Sequence, residues 1–343
     1  MVDNIYKEAA QKVAFFFVSD HFRGLTFVSF EINFYICSDE KCLLAQNREK
    51  VDIVITYVNG LDPVWQRDYE KHTSQPVLEK RFRDWGTLRY LFRGIAENMS
   101  FIRKVHLVVS HESQVPEWVN RDEVHIVLHK DIIPAEYLPT FNCNPIEMHL
   151  HRIEGLDEEY LYFNDDMFPM RKCEPTDFFR NGRGVLGISR HLFAMNMFKK
   201  ICRNSDRLAR KTLGKSSSLF FLRPQHICSP MLKSVCEEVY AKVPMEIAKT
   251  SSSRTRTAED LNQYLFLDYM YLKGLLINKR HSKKHFSVGI VSVSQLQKFI
   301  TAPTHKLACI NDVQLSEERY AELREVQLRA FKERFPQKSK YEQ

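Results

Sequence analysis

The sequence predicts an α/β fold on a mainly parallel sheet, and three observations carry that expectation. Apolar, β-branched runs of strand length occur at residues 51–58 (VDIVITYV), 105–110, 124–129 and 160–163. Between the first two, residues 84–98 place Leu88, Leu91, Phe92 and Ile95 on one helical face. The first and last runs stop abruptly on turn formers, Asn59-Gly60 and Asn164-Asp165-Asp166. Strands that alternate with helices pair in parallel, because each crossover returns the chain to the same end of the sheet. The expected architecture is therefore Rossmann-like, with helices flanking the sheet and a helical C-terminal part.

Residues 1–48 precede this alternation and are rich in aromatics, among them Phe15, Phe16, Phe17, Phe27, Phe30, Phe34 and Tyr35. Extra strands or a hairpin packed on the main domain is the default expectation there, with acceptor or membrane contact as the alternative. Pro116 and Trp118 separate the second and third apolar runs. Residues 180–218 are basic and poor in long apolar runs, and Ser216, Ser217 and Ser218 end them as a mobile lid, an acceptor loop or a solvated connector. Residues 250–257 are likewise polar and loop-like. Helices are expected at 231–241 and 259–273. Residues 316–335 form an amphipathic helix with Ser316 as cap, Glu317 and Glu318 in the first turn and Pro336 as its stop.

Composition narrows the function. The 343 residues carry a net charge of +7, which suits a polyanionic ligand such as a nucleoside diphosphate, an anionic glycan or an acidic membrane surface. The cations are too evenly spread, and no zinc-finger or aromatic RNA-binding pattern is present, so nucleic acid is not an expected partner. The eight cysteines form no CxxC pair and suit a reducing compartment. The apolar run at 13–18 is broken by Asp20, His21 and Arg23, far short of the roughly 20 residues of a membrane span. The expected location is cytoplasmic, with attachment to the inner face of the membrane left open.

In open α/β sheets ligands bind beyond the carboxyl ends of the strands, where both turns fall. Asp165 and Asp166 are two adjacent carboxylates that repel each other unless a cation sits between them and an anionic ligand. A hard cation, Mg²⁺ or Mn²⁺, is the partner oxygen ligands prefer. Taken alone the pair is an exposed acidic turn. Asn59, Gly60 and Asp62 could shape a nucleotide pocket, or be simply a turn. Glu147, His149 and His151 share a face if their segment is a strand, whereas on a helix His151 follows Glu147 by one turn; Arg152 completes this polar group. His226 precedes a helix. Arg256 precedes Glu259-Asp260 at an expected helix start, where capping and ion pairing are the default roles.

The order of these features changes their weight. The stretch from Val51 to Pro63 resembles the first signature block of the Stealth family of sugar-1-phosphate transferases. These comprise bacterial capsular polysaccharide phosphotransferases and the animal N-acetylglucosamine-1-phosphotransferase α/β subunit. A longer second block runs from Arg83-Asp84 through Val115-Pro116-Glu117-Trp118, Leu138-Pro139-Thr140-Phe141-Asn142 and Ile146-Glu147-Met148-His149-Leu150-His151-Arg152 to Asn164-Asp165-Asp166. A looser third block surrounds His226, Pro230 and Lys233 and ends on Arg256-Thr257-Ala258-Glu259-Asp260. The fourth resembles Cys309-Ile310-Asn311-Asp312 and the terminal helix. Departures from the pattern are Trp85, Leu61 and Asn142-Cys143-Asn144, which leave sugar specificity and pocket shape open.

The resemblance implies a GT-A-like catalytic domain over residues 49–343, with blocks at about 51–65, 83–168, 205–260 and 305–342, preceded by an extension over 1–48. It implies transfer of a hexose-1-phosphate, N-acetylhexosamine-1-phosphate first among the donors, from a UDP-sugar to a hydroxyl of an acceptor glycan in capsular or exopolysaccharide synthesis. UMP is released and a phosphodiester forms; the alternative is a metal-dependent glycosyltransferase that releases UDP. Asp165 and Asp166 would hold the metal and, with His226 and Arg256, form the catalytic set. Asn59, Gly60, Asp62, Glu147, His149, Arg152, Asn164, Asn311 and Asp312 would bind substrate. The implied partners are the nucleotide-sugar and the glycan; association with a capsule-assembly machinery and a homo-oligomer stay open.

Overall fold

In the computed structural model, which describes residues 50–343 apart from 75 and 78–81, the first apolar run forms β1 (Val51–Thr56), buried up to its last residue. The aromatic-rich stretch 1–48 lies outside the described residues. After β1 the chain turns at Asn59-Gly60. A glycine is required there, because Gly60 N donates to Phe82 O at 2.7 Å and a Cβ would stand 2.6 Å from that oxygen. The helix α1 (Pro63–His72) begins with Asp62 as its cap, accepting from Trp65 N at 2.8 Å, and with Pro63 in its first turn.

The helix expected over 84–98 is shorter, α2 (Leu88–Asn98), because Asp84 Oδ1 takes the Gly86 N–H in a turn. It buries Leu88, Leu91, Phe92 and Ile95, as the spacing predicts. Then come β2 (Ile102–Val109), β3 (Val124–Leu128), α3 (Cys143–His149), β4 (Glu159–Asn164) and β5 (Met167–Pro169). The segment around Glu147 is thus helical, ending in a 3-10 turn at Leu150–Arg152.

The basic stretch 180–218 is mostly regular structure, with Ser216, Ser217 and Ser218 outside any element as expected. It contributes β6 (Phe179–Arg180), β7 (Arg183–Leu186), β8 (Ile188–His191) and α4 (Met197–Thr212). The side chains of Ile201, Cys202, Ser205, Leu208 and Ala209 form the buried stripe of α4. The chain continues through β9 (Phe221–Pro224), β10 (Ser229–Leu232), α5 (Lys233–Lys242), α6 (Pro244–Ser251) and α7 (Tyr264–Lys273). Met231 is therefore a strand residue and not a helix start. The helix expected from 259 begins at Tyr264, since the Asp260 carboxylate accepts the N–H and hydroxyl of Thr257 and holds that segment in a turn. Then follow β11 (Leu276–Asn278), β12 (Lys283–Ser287), α8 (Val293–Thr301), β13 (Leu307–Asn311) and α9 (Glu317–Arg334). The C-terminal part is helical as expected, with three strands between its helices.

The main sheet has the order β10-β4-β1-β2-β3. The strands β4, β1, β2 and β3 are parallel, and β10 runs antiparallel on the edge. This register sets Thr56 beside Asn164, so the turns after β1 and β4 open at the same end of the sheet. A second sheet, β12-β13-β5, has β13 antiparallel to β5. Its pairing of Cys309 with Met167, and a bond of 2.9 Å from Ile310 N to Asp166 O, carry Asn311 and Asp312 to the same end.

The C-terminal tail closes on α2 through a buried ion pair. Arg93 Nε and Nη2 donate to the two oxygens of Glu342 at 2.8 and 2.7 Å, and Arg93 Nη1 donates to Phe335 O at 2.8 Å. Removing one member leaves an uncompensated buried charge. Glu342→Ala is expected to lower unfolding stability by about 3–5 kcal/mol, measured by urea titration. A loss under about 1 kcal/mol, the level of an exposed pair, would show that the clasp is incidental.

Candidate active site

A cavity of about 920 Å³ opens beyond the carboxyl ends of β1 and β4. Thr56, Tyr57, Asn164, Asp165 and Asp166 come from the ends of the two strands, and Ser110 and His129 from the ends of β2 and β3. All four residues of the expected catalytic set, Asp165, Asp166, His226 and Arg256, line it. Glu147, Asn164, Asn311 and Asp312 line it as well.

Others of the expected set do not. Asn59 faces a neighbouring groove against α9, and its backbone is pinned by Gln114, which accepts from Asn59 N at 2.6 Å. Gly60 is used for the close approach of residue 82, and Asp62 caps α1. His149 is fully buried on the other side of α3, with Nε2 and Ser251 Oγ 3.0 Å apart. Arg152 is exposed at the end of the 3-10 turn. Glu147 and His149 lie only two positions apart on a helix, so they diverge.

One wall of the cavity is acidic. Burial pushes the Asp165 carboxyl up to about 8, helped by the charges of Asp166, Asp84 and Asp312. Burial pushes Asp166 up to about 6, against the pull of its bond from Cys309 Sγ and the charge of Lys283. The Oδ1 atom of Asp166 is buried without a partner. Asp312 is held in place by Trp85, whose Nε1 donates to Oδ2 at 3.1 Å, and by Val313 N, which donates to Oδ1 at 2.7 Å.

The cavity is also lined by cations: Arg223, Arg256, Arg280 and Lys283. Burial and the charge of Arg256's neighbours fix its setting: Nη2 donates to Cys143 Sγ at 2.7 Å, while Nε is buried without a partner, as is Nε of Arg223. Two loops hold Arg256 here through Asp260. Its Oδ2 accepts from the Asn142 and Asn144 amides at 2.8 and 2.9 Å, joining the start of α3 to the turn that carries Arg256. His226 lies among these cations. Burial first, then Lys283, His285, Arg223 and Arg256, hold it down to about 4, so it is neutral near pH 7. Its Nδ1 lies 3.4 Å from Tyr264 Oη, and its carbonyl accepts from Lys283 Nζ at 2.6 Å.

The sequence reasoning missed Arg223, Arg280, Lys283, His285 and Asp84. Arg280, Lys283 and His285 stand in the run Lys279-Arg280-His281-Ser282-Lys283-Lys284-His285, and a dense basic run is the signal that was available. The departures noted at Trp85 and at Asn142-Cys143-Asn144 all line the cavity, whereas Leu61 is exposed away from it.

Glu147 joins the two halves of the floor. Oε2 accepts from Gln263 N at 2.9 Å and Oε1 from Tyr162 Oη at 3.3 Å. Burial pushes its carboxyl up from 4.5 to about 7. The folded state therefore keeps this proton at a higher pH than the unfolded chain. The associated stability is complete below pH 4.5 and is lost as pH rises through about 7. Glu147→Gln is expected to remove that slope, up to about 3 kcal/mol between about pH 5 and about pH 8. Urea unfolding at the two pH values measures it, and an unchanged slope would place the titration elsewhere.

The acidic wall offers oxygen ligands to a metal ion. Among the described residues the tightest group of ligand atoms is Asp166, His226 and Cys309, all within 4.8 Å of one another. Burial holds the Cys309 thiol far above its ordinary range, and a protonated thiol is a poor ligand. The carboxylates, with the orphaned Asp166 oxygen, fit a hard cation better.

Comparison with known proteins decides the family. The chain is 32% identical over 303 residues to the receptor polysaccharide phosphotransferase WefC of Streptococcus oralis, covering 77% of this chain and 90% of that one. It belongs to the Stealth family. The Stealth profile described as "Stealth protein CR2, conserved region 2" matches residues 81–185, which contain Asp84, Glu147, Asp165 and Asp166. The capsular polysaccharide phosphotransferase WcwK of Streptococcus pneumoniae is 31% identical over 333 residues, 85% of this Stealth chain and 99% of its own. The exopolysaccharide phosphotransferase cps2G of Lactiplantibacillus plantarum is 28% identical, over 85% of this chain and 96% of that one. This Stealth protein is accordingly a phosphotransferase. Among solved structures, mouse xyloside xylosyltransferase 1 in its apo form superposes with a TM-score of 0.33 at 12% identity, over 76% of this chain and 98% of that one, too loose a likeness to carry weight.

Proposed function

We propose that this chain transfers a hexose-1-phosphate, N-acetylhexosamine-1-phosphate first among the donors, from a UDP-sugar to a hydroxyl of an acceptor glycan in capsular or exopolysaccharide synthesis. What carries the proposal is one cavity lined by both carboxylates and guanidinium groups, with the Nε atoms of Arg223 and Arg256 buried without partners. A diphosphate suits both groups, its oxygens taking the cations, while Asp165 and Asp166 would hold a divalent cation that offsets its charge.

The acceptor oxygen attacks the β-phosphorus and forms the new P–O bond. The bond from that phosphorus to the oxygen bridging it to the α-phosphorus breaks, and UMP leaves with the electron pair. The sugar C1–O bond stays intact, so the donor's anomeric configuration persists. Arg256 takes the charge that gathers on the equatorial phosphoryl oxygens, for which a planar guanidinium is matched. In the tautomer that donates Nδ1–H to Tyr264, neutral His226 would present Nε2 to take the acceptor proton. Asp165 or Asp166 orients the acceptor hydroxyl. Mg²⁺ or Mn²⁺ held at Asp165 and Asp166 supplies neutralisation of the diphosphate charge when bound. The rest is positioning by fixed groups lining one cavity.

The deciding measurement is the nucleotide released from a panel of UDP-hexoses with Mg²⁺ and acceptor oligosaccharides. UMP, with a phosphodiester signal in the phosphorus NMR spectrum, is the expected product. Release of UDP would replace the proposal with an ordinary glycosyl transfer.

A further inference from the structure

Nine large apolar side chains stand exposed among the described residues, and five of them cluster: Phe193, Met195, Met197, Leu219 and Phe220. The pairing of β8 with β9 explains the cluster. His191 pairs with Phe221 in an antiparallel ladder, so the chain leaving β8 and the chain entering β9 emerge side by side. Met195 is 82% exposed and Leu219 77%. Every charged side chain from 188 to 220 is cationic except Asp206, which is buried on Arg210 at 3.0 Å. Arg190, Lys200, Arg207, Lys211 and Lys215 are exposed on this same stretch of chain.

We propose that this face docks on an anionic lipid bilayer. The apolar tips enter the headgroup boundary, and the surrounding lysines and arginines meet the lipid phosphates. Two features favour lipid over the other occupants. Phenylalanine, methionine and leucine offer a sugar neither a hydrogen-bond donor nor an indole or phenol face with a polar edge. A second copy of the same face would bring like charges together, which disfavours self-association.

Docking also orients the cavity. Asn196, Met197 and Phe198 line it at the start of α4, directly after the apolar tips. The mouth then lies at the bilayer surface, where an acceptor glycan would be carried on a lipid anchor. That last consequence rests on the proposed transfer reaction; the docking does not.

The test is sedimentation of the whole chain with vesicles of phosphatidylcholine, with and without added phosphatidylglycerol. Binding is expected to the anionic vesicles, to weaken with salt, and to be slight on phosphatidylcholine alone. Phe193→Ser combined with Leu219→Ser and Phe220→Ser should weaken binding at least about tenfold. Lys200→Ala and Lys215→Ala should weaken it about fivefold each. Turnover on a water-soluble acceptor should not change in any of these variants. Failure of the wild-type chain to bind anionic vesicles overturns the proposal, as does wild-type binding by the triple variant. A raised KM for the soluble acceptor in the triple variant would make the face a glycan subsite instead. A wild-type dimer that the triple variant abolishes would make it a subunit contact.

Discussion

Arg256→Ala is expected to lower kcat by about 10³-fold with little change in KM, because the guanidinium is asked to act on charge that develops only as the phosphoryl group is transferred. The structure gives this residue the required setting. One nitrogen is anchored on Cys143, a second is buried without a partner, and the loop that carries it is fixed by Asp260. Arg256→Lys should recover only a small part of the rate, since an ammonium keeps the charge and loses the fork. Steady-state kinetics with the donor varied separate the two parameters. Near-normal turnover in Arg256→Ala, with the melting temperature unchanged, would remove this residue from the scheme.

Asp166→Asn is expected to move activity and stability in opposite directions. Burial resists the charge of this carboxylate, and one of its oxygens has no partner. An amide of the same shape removes the buried charge, so the melting temperature should stay level or rise near pH 7. Turnover should fall about 10³-fold, and the Mg²⁺ concentration needed for half-maximal activity should increase. Thermal unfolding and a magnesium titration of the residual activity measure the two effects. A variant that loses stability along with activity would mark Asp166 as a structural residue.

How far the sequence could be read depended on the distance over which each feature acts. The strand at 51–58 and the acidic turn after β4 were legible because an apolar run and its terminator are local. That Arg256 and His226 share a cavity with the acidic turn was not local information: the expectation came from the resemblance, and all four residues line the one cavity. Asp62 shows the opposite error. Its place before Pro63 already marked a helix cap, and that is the role it has. α4 was missed because its buried stripe contains Cys202, Ser205 and Ala209 among six lysines and arginines, although the spacing is helical. Lys283 was passed over for a related reason, since basic runs normally face solvent and nothing nearby shows that β12 turns this one into the cavity.

The order in which the cavity's parts appear along the chain has a consequence for biosynthesis. Its acids include residues 84, 147, 165 and 166 and its cations 223, 256, 280 and 283, while the end of β13 and the residue after it add Asn311 and Asp312 only near the end. β12, which carries Lys283, and β5, which follows Asp166, are joined only through β13, so this sheet ties the acidic and cationic parts of the cavity together only once residues 307–311 have been made.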